Sequence, residues 1–250
     1  MKTTDIKKSI DKLRFDISGY YFIGLLVFVI LGFWPSYFAK FFNGTADFSF
    51  YFHFHAAMMI LWVCMLIIQP ILIRKKKFGL HRFNGRLSYF LFPMMLVSII
   101  LIVHQRHAPI DEPDLDITLF NQFRPFIMFL IAYVIAIRYR HNINIHARAM
   151  IATGILILEP ALTRLVLNLF GVIKSFATSP YFFYFATIFS SSIIFLLITG
   201  LIIRERKQNR GRWVFPFILS LYFITYLIGI FRIHIGLQSF AKWFTSLPLT

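Results

Sequence analysis

Cysteine and acidic residues are scarce in this chain of 250 residues. The single cysteine, Cys64, excludes an intrachain disulfide and any motif that needs two thiols. Charged residues make up only 14% of the sequence, and ten Asp and Glu residues face 26 Lys and Arg residues. Because soluble domains carry about 25% charged residues, this composition argues against a soluble domain.

The sequence is rich in long apolar runs. Hydrophobic residues make up 58% of the chain, and runs of about 20 apolar residues, enough to cross about 30 Å of hydrocarbon, recur along it. A backbone in lipid must satisfy its own hydrogen bonds, so the runs predict helices. The predicted fold is all-α, a polytopic bundle of seven transmembrane helices in residues 18–235, between a basic segment, residues 1–17, and a short tail, residues 236–250. The predicted spans are residues 18–39, 51–73, 87–103, 126–137, 149–170, 181–203 and 213–235.

The basic residues predict the orientation of this bundle. Most of the 26 Lys and Arg residues fall in the N-terminal segment and in the turns after the second, fourth and sixth spans. Such turns face the cytoplasm, which predicts a cytoplasmic N-terminus in a bacterial inner membrane. The net charge of +16 is therefore expected to meet the lipid bilayer and its anionic headgroups, not nucleic acid. The acids Asp111, Glu112, Asp114 and Asp116 then fall in an outer loop.

The eight histidines lie near the ends of the predicted spans. Histidine is also tolerated at membrane interfaces, where its ring meets water and headgroups, so interface decoration stays an alternative to any functional role. Those on the cytoplasmic side are His81, His141 and His146. Those on the outer side are His53, His55, His104, His107 and His234.

Paired histidines at matched depth on neighbouring helices favour a bis-histidine b-type haem. The predicted outer ligands are His55 and His104, and the predicted inner ligands are His81 and His146. Two such haems would make an electron path across the membrane. The basic residues expected beside the haem propionates, or beside lipid phosphates, are Arg82, Arg86 and Arg148.

A zinc site is the alternative interpretation of the outer group. Imidazole and carboxylate ligands suit zinc, and an open coordination position would make a lipid hydrolase plausible. His104 and His107 are three residues apart and share a helix face. The candidate metal ligands are His53, His55, His104, His107 and His234, with the acids of the outer loop.

Glu159 is an acid deep inside the predicted fifth span. A carboxylate at that depth is costly and therefore a functional candidate, although it can also serve packing alone. The following Pro160 is expected to kink the helix. Arg164 is five residues on, about 140° around the helix, so a same-face pair with Glu159 is not expected. As a functional residue, Glu159 would carry a proton or contact a polar headgroup or a quinone. In a third interpretation, a non-catalytic transporter or assembly protein, Glu159 and Arg164 would line a polar path.

Two motifs carry a family resemblance. The segment from His81 to Tyr89, HRFNGRLSY, and the segment from His146 to Ile151, HARAMI, follow His55 in the second span. Together they resemble an uncharacterised family of bacterial multi-span membrane proteins, which has no assigned activity. The placement of its histidines is loosely similar to that of di-haem transmembrane cytochromes b and ferric reductases. This resemblance implies a membrane electron-transfer protein with b-type haem, exchanging electrons with quinone or with another redox protein.

Overall fold

A computed structural model describes residues 15–107, 114–172, 181–207 and 210–250. In these ranges the chain forms helices joined by short turns, with no strand. Of the predicted basic segment, residues 1–17, only the 3-10 turn Phe15–Ile17 belongs to the described residues. The outer-loop acids Asp111 and Glu112 lie outside them.

Six of the described helices are long and apolar enough to cross a membrane, and Val214–Ile230 is apolar but has only 17 residues. This confirms an all-helical architecture of the polytopic membrane type, whereas the seventh crossing stays a prediction. The helices are α1 (Phe15–Phe42), α2 (Phe50–Arg74), α3 (Phe78–His107), α4 (Leu115–Arg138), α5 (Ile143–Phe170), α6 (Phe182–Arg204), α7 (Val214–Ile230) and α8 (Gln238–Ser246).

Two helices begin earlier than hydropathy predicted. Helix α3 starts at Phe78 and not at residue 87, and α4 starts at Leu115 and not at residue 126. Hydropathy counts polar residues as lying outside the membrane, but a helix continues wherever those residues reach water or a partner. As a result Arg82 and Arg86 lie exposed on the first turns of α3. The predicted tail, residues 236–250, also contains a helix, α8.

Proline accounts for two irregular helices. Helix α1 contains a π-helical turn, Trp34–Phe38, with Pro35 at its start. Helix α5 is interrupted at Ile157, which separates Ile143–Leu156 from Leu158–Phe170. Pro160 has no N–H to donate to the carbonyl of Leu156, so the regular ladder breaks one turn before the proline.

The described helices pack around two large hydrophobic cores, and a smaller third core lies beneath α8. One core lies among α4, α5, α6 and α7 and includes Ile194 and Phe215. The other lies among α1, α2, α3 and α4 and includes Trp62 and Phe92. Helix α1 packs against α2 and against the second half of α5, and α7 returns to pack against α4. The outer faces remain apolar, as lipid contact requires, with Phe90 and Leu196 each 72% exposed.

Helix α1 approaches α5 most closely at Gly32. A Cβ atom at this position would clash with the backbone carbonyl oxygen of Ala161. Nearby, the Asn168 Nδ2 donates a hydrogen bond of 2.9 Å to the carbonyl of Gly32. Small residues let membrane helices come together in this way, and the contact holds two walls of the cavity described below.

Candidate functional site

A cavity of about 280 Å³ lies between α1, α2, α3, α4 and the second half of α5. It occupies the end of the bundle opposite the basic turns, hereafter the opposite end. The π-helical turn of α1 lines it with Ser36 and Tyr37, and α4 and α5 contribute Pro125 and Pro160. Irregular backbone in a membrane protein is typical of places that face a cavity.

The cavity is polar at its mouth and apolar further in. Its polar lining side chains include His55, Gln122, Arg106 and Arg164. Val63 also lines it, eight residues past His55 and so about 12 Å deeper at 1.5 Å per residue. The deeper walls are Met59, Val63, Met95 and Phe129. Polarity therefore changes along the cavity in the direction of the helices.

His55 is oriented by a buried serine. Its Nδ1 lies 3.2 Å from the Oγ of Ser98, and that hydroxyl donates to the Met95 carbonyl at 2.8 Å. Because the serine has only one hydrogen to give, Nδ1 of His55 has to donate to Ser98. This assignment of the tautomer leaves Nε2 of His55 as a hydrogen-bond acceptor or a ligand atom.

Arg106 and Arg164 bring two positive charges to the mouth. They lie within electrostatic range of each other and of His55. The guanidinium of Arg164 stacks on the Phe33 ring at 4.5 Å, and its Nη1 donates 3.2 Å to the Pro160 carbonyl. No carboxylate is among the residues that line the cavity, and the ion pairs within the described ranges involve other arginines.

Glu159 belongs to a different site. It forms a buried ion pair with Arg124 of α4, and Ser191 of α6 donates 3.1 Å to the same carboxylate oxygen. Arg124 also lies over the Tyr222 ring at 5.3 Å. Glu159 thus points to α4, α6 and α7, while Arg164 lines the cavity. The sequence prediction missed Arg124 because the predicted fourth span began at residue 126, after this arginine. The signal that could have identified it was a second charge inside an apolar helix, opposite in sign to Glu159.

Four of the five histidines of the opposite end hydrogen-bond to separate side chains. His53 Nδ1 lies 2.8 Å from the Tyr37 hydroxyl, and His104 Nδ1 lies 2.8 Å from Thr250 Oγ1. The structure therefore places His55 in the cavity and His104 under the last residues of the chain. His107 is half-buried at the end of α3.

Among the described residues, no group of three or more His, Cys, Asp and Glu side chains is placed to hold a metal. The zinc site stays a prediction.

His234 contacts two acids at the start of α4, Asp114 just before the helix and Asp116 in its first turn. Its Nδ1 lies 3.2 Å from the Asp116 carboxylate, and its Nε2 lies 3.5 Å from Asp114. Arg232 pairs with Asp114 as well. Hydrogen bonds to Tyr184 and Asp114 raise the pKa of Arg232, so this guanidinium stays charged. These contacts join the segment before α8 to the start of α4.

The structure brings His81 and His146 together at the basic end. His146 lies within electrostatic range of His81, and its Nδ1 lies 2.9 Å from the carbonyl of Ala136. His81 Nδ1 is buried without a hydrogen-bond partner. Arg82 and Arg86 are exposed. His81 and His146 thus lie within range of a charge interaction, and both haem pairs stay predictions.

Another buried arginine, Arg148, links elements at the basic end. Arg148 is fully buried, and its Nε donates 2.6 Å to Glu205 at the end of α6. Its Nη1 donates to the carbonyls of Asn144 and Arg210. This side chain is therefore engaged in joining α5 to the turn between α6 and α7.

Comparisons of this chain with protein-family models, with curated proteins and with solved structures found no match.

Proposed function

We propose that this protein is a seven-span protein of the bacterial inner membrane, with its N-terminus in the cytoplasm, that binds an amphiphilic molecule in the cavity of the opposite end. The observation that carries the proposal is the change from a polar mouth to apolar walls within one cavity. An amphiphile matches this change, with its head at Arg106 and Arg164 and its chain beside Met59 and Val63.

The physical chemistry of the cavity supports such a ligand. Each buried methylene contributes about 0.8 kcal/mol when it leaves water, but a lipid chain already lies in hydrocarbon. The walls therefore accommodate the chain at little cost, and the polar mouth supplies the selectivity. At about 280 Å³ the cavity lies just below the usual range of ligand pockets, roughly 300–1,000 Å³. It fits a headgroup and the first part of a chain.

A pair of neighbouring alanines on α2 tests this function. Ala56 lines the cavity, whereas Ala57, the next residue, is exposed on the outer face. We expect Ala56→Phe to fill the cavity and abolish co-purification of amphiphiles, measured by native mass spectrometry from mild detergent. Ala57→Phe, the matched control, should retain them. Equal retention by both variants would contradict the proposal.

The nearness of His81 and His146 favours a second candidate, a b-type haem protein of electron transfer. The unpartnered Nδ1 of His81 and the neighbouring ring of His146 fit a haem ligand pair, and a bound haem would supply one-electron chemistry. A quinone in the cavity would then be its redox partner. The absorption spectrum of protein expressed with ample haem tests this candidate: a Soret band lost in His146→Ala is expected, and a colourless protein would end it.

A further inference from the structure

We infer that the amphiphile bound in this cavity has a phosphate monoester head, a dianion held between Arg106 and Arg164. This inference rests on the proposed function and names the class of ligand. The shape and polarity of the cavity do not specify this head. Its charge does, when it is compared with the way in which the other buried arginines of the bundle are neutralised.

The other deep arginines each have a carboxylate. Arg124 is paired with Glu159, and Arg148 is paired with Glu205. Arg164 is different: its guanidinium contacts the Pro160 carbonyl oxygen and the face of the Phe33 ring. An arginine inside a membrane helix is energetically costly unless an anion or water compensates its charge. Within the described residues the anion for Arg164 is missing, so a ligand is the natural source.

The second arginine indicates how much negative charge the head carries. Arg106 lies at the mouth, near enough to Arg164 for the two charges to repel. A fatty-acid carboxylate or a phosphodiester brings one negative charge, which would neutralise one guanidinium and leave the exposed Arg106 to water alone. A phosphate monoester carries about −1.5 to −2 charges and three terminal oxygens. It therefore offers an oxygen to each guanidinium, in the forked geometry that arginine prefers.

A further polar group of the mouth fits the same head. Gln122 lines the cavity with an amide that can donate to a phosphate oxygen. Arg106 is exposed, so the head can enter from the membrane surface while the chain follows into the apolar part.

The test compares amphiphiles with different heads, three of which share the same dioleoylglycerol body. Purified protein in neutral detergent is titrated with dioleoyl phosphatidic acid, and binding is measured by native mass spectrometry. The comparison probes are dioleoyl phosphatidylglycerol, oleate, dioleoylglycerol and a short-chain quinone. The pH is set near 8, about two units above the second phosphate pKa of about 6. Phosphatidic acid is expected to bind about tenfold more tightly than the others, the effect of one extra charge-assisted hydrogen bond. Inorganic phosphate, which has no chain, should not compete.

Three variants and one control assign the head to the arginines. Arg106→Gln and Arg164→Gln should each remove the preference for phosphatidic acid over phosphatidylglycerol, while Arg164→Lys should retain part of it. Arg82→Gln changes an exposed arginine on the same helix as Arg106, at the basic end, and should leave the preference unchanged. Should Arg164→Gln fail to fold, Arg106→Gln decides alone, because its exposed side chain tolerates substitution.

The outcomes separate this inference from the function on which it rests. If all the amphiphiles bind equally and Ala56→Phe still abolishes binding, the function stands and the phosphate head is wrong. A preference for phosphatidic acid that persists in Arg106→Gln also overturns the inference. If Ala56→Phe changes nothing, the function itself fails.

Discussion

At the scale of single residues, buried charges are fastened by partners on other helices. Glu159 and Arg124 join α5 to α4, and Ser191 adds α6 to the same carboxylate. A buried ion pair gains little over well-packed apolar side chains, but the loss of one partner leaves a charge that nothing compensates. These residues are therefore sensitive to single substitution and tolerant of paired substitution.

Glu159→Gln should lower the free energy of unfolding by about 3–5 kcal/mol, because Arg124 is left buried without its carboxylate. Reversible unfolding in mixed micelles measures this loss. The double change of Glu159→Leu with Arg124→Met should restore most of the stability. Asp47→Asn, at an exposed residue, serves as the control. If the single and double variants were equally unstable, the ion pair would not be the cause.

Two glycines of α1 allow a matched comparison of a closely packed position with an open one. Gly32→Ala places a Cβ against the Ala161 carbonyl, whereas nothing lies within 4 Å of a Cβ at Gly24. We expect Gly32→Ala to cost about 1–3 kcal/mol through overpacking. Gly24→Ala should be neutral or slightly stabilising, since alanine is the better helix former by about 1 kcal/mol. Thermal unfolding of both variants in the same detergent compares them directly.

At the scale of elements, the irregular helices and α8 shape the opposite end. The π-helical turn of α1 and the interrupted α5 both border the cavity. Helix α8 lies across α3 and α4, with Ala241 and Phe244 buried beside Val103 and Leu119. Its other face, which includes Trp243, is exposed, as expected of an amphipathic helix at a membrane interface.

Helix α8 and the residues after it should protect His104 from chemical modification. His104 is 1% exposed and contacts Phe244 and Thr250. In the intact protein we expect slow modification of His104 by diethyl pyrocarbonate, followed by mass spectrometry of peptides. Ending the chain after Gly236 should make the reaction fast. The exposed His141 should react quickly in both forms. Equal rates at His104 in the two proteins would show that α8 does not cover it in the membrane.

At the scale of the whole molecule, the basic turns and the cavity lie at opposite ends of the bundle. Arg82, Arg86 and the lysines from Lys75 to Lys77 are exposed at the basic end, where anionic headgroups can neutralise them. In the proposed orientation that end is cytoplasmic, so the cavity opens toward the outer leaflet and would receive its amphiphile from there.

Cysteine labelling tests this orientation and the seventh crossing. In a Cys64→Ser background, single cysteines are introduced by Lys77→Cys, Asp47→Cys and Ser246→Cys. A membrane-impermeant maleimide applied with the outer face accessible should label the second and third variants, and should label Lys77→Cys only after permeabilisation. If Ser246→Cys instead behaves like Lys77→Cys, α7 does not cross the membrane.

Helix content and membrane character are properties of neighbouring residues, and they could therefore be predicted from runs of apolar side chains. The same local patterns predicted that Glu159 and Arg164 would not form a pair, because five residues turn a helix by about 140°. The same patterns predicted the starts of α3 and α4 poorly, because hydropathy does not register a polar residue whose hydrogen bonds are satisfied by a distant partner.

Pairing between helices was decided by the tertiary structure. Glu159 meets Arg124 from 35 residues away, and His104 meets Thr250 from 146 residues away; no periodicity within one helix contains these contacts. Packing alone selects which face of α2 places His55 beside Arg106 and Arg164, and which face of α3 turns His104 toward α8. Hydropathy and charge reflect the chain's local interaction with lipid and water, whereas the cavity and the two arginines that line it come together only where five helices meet.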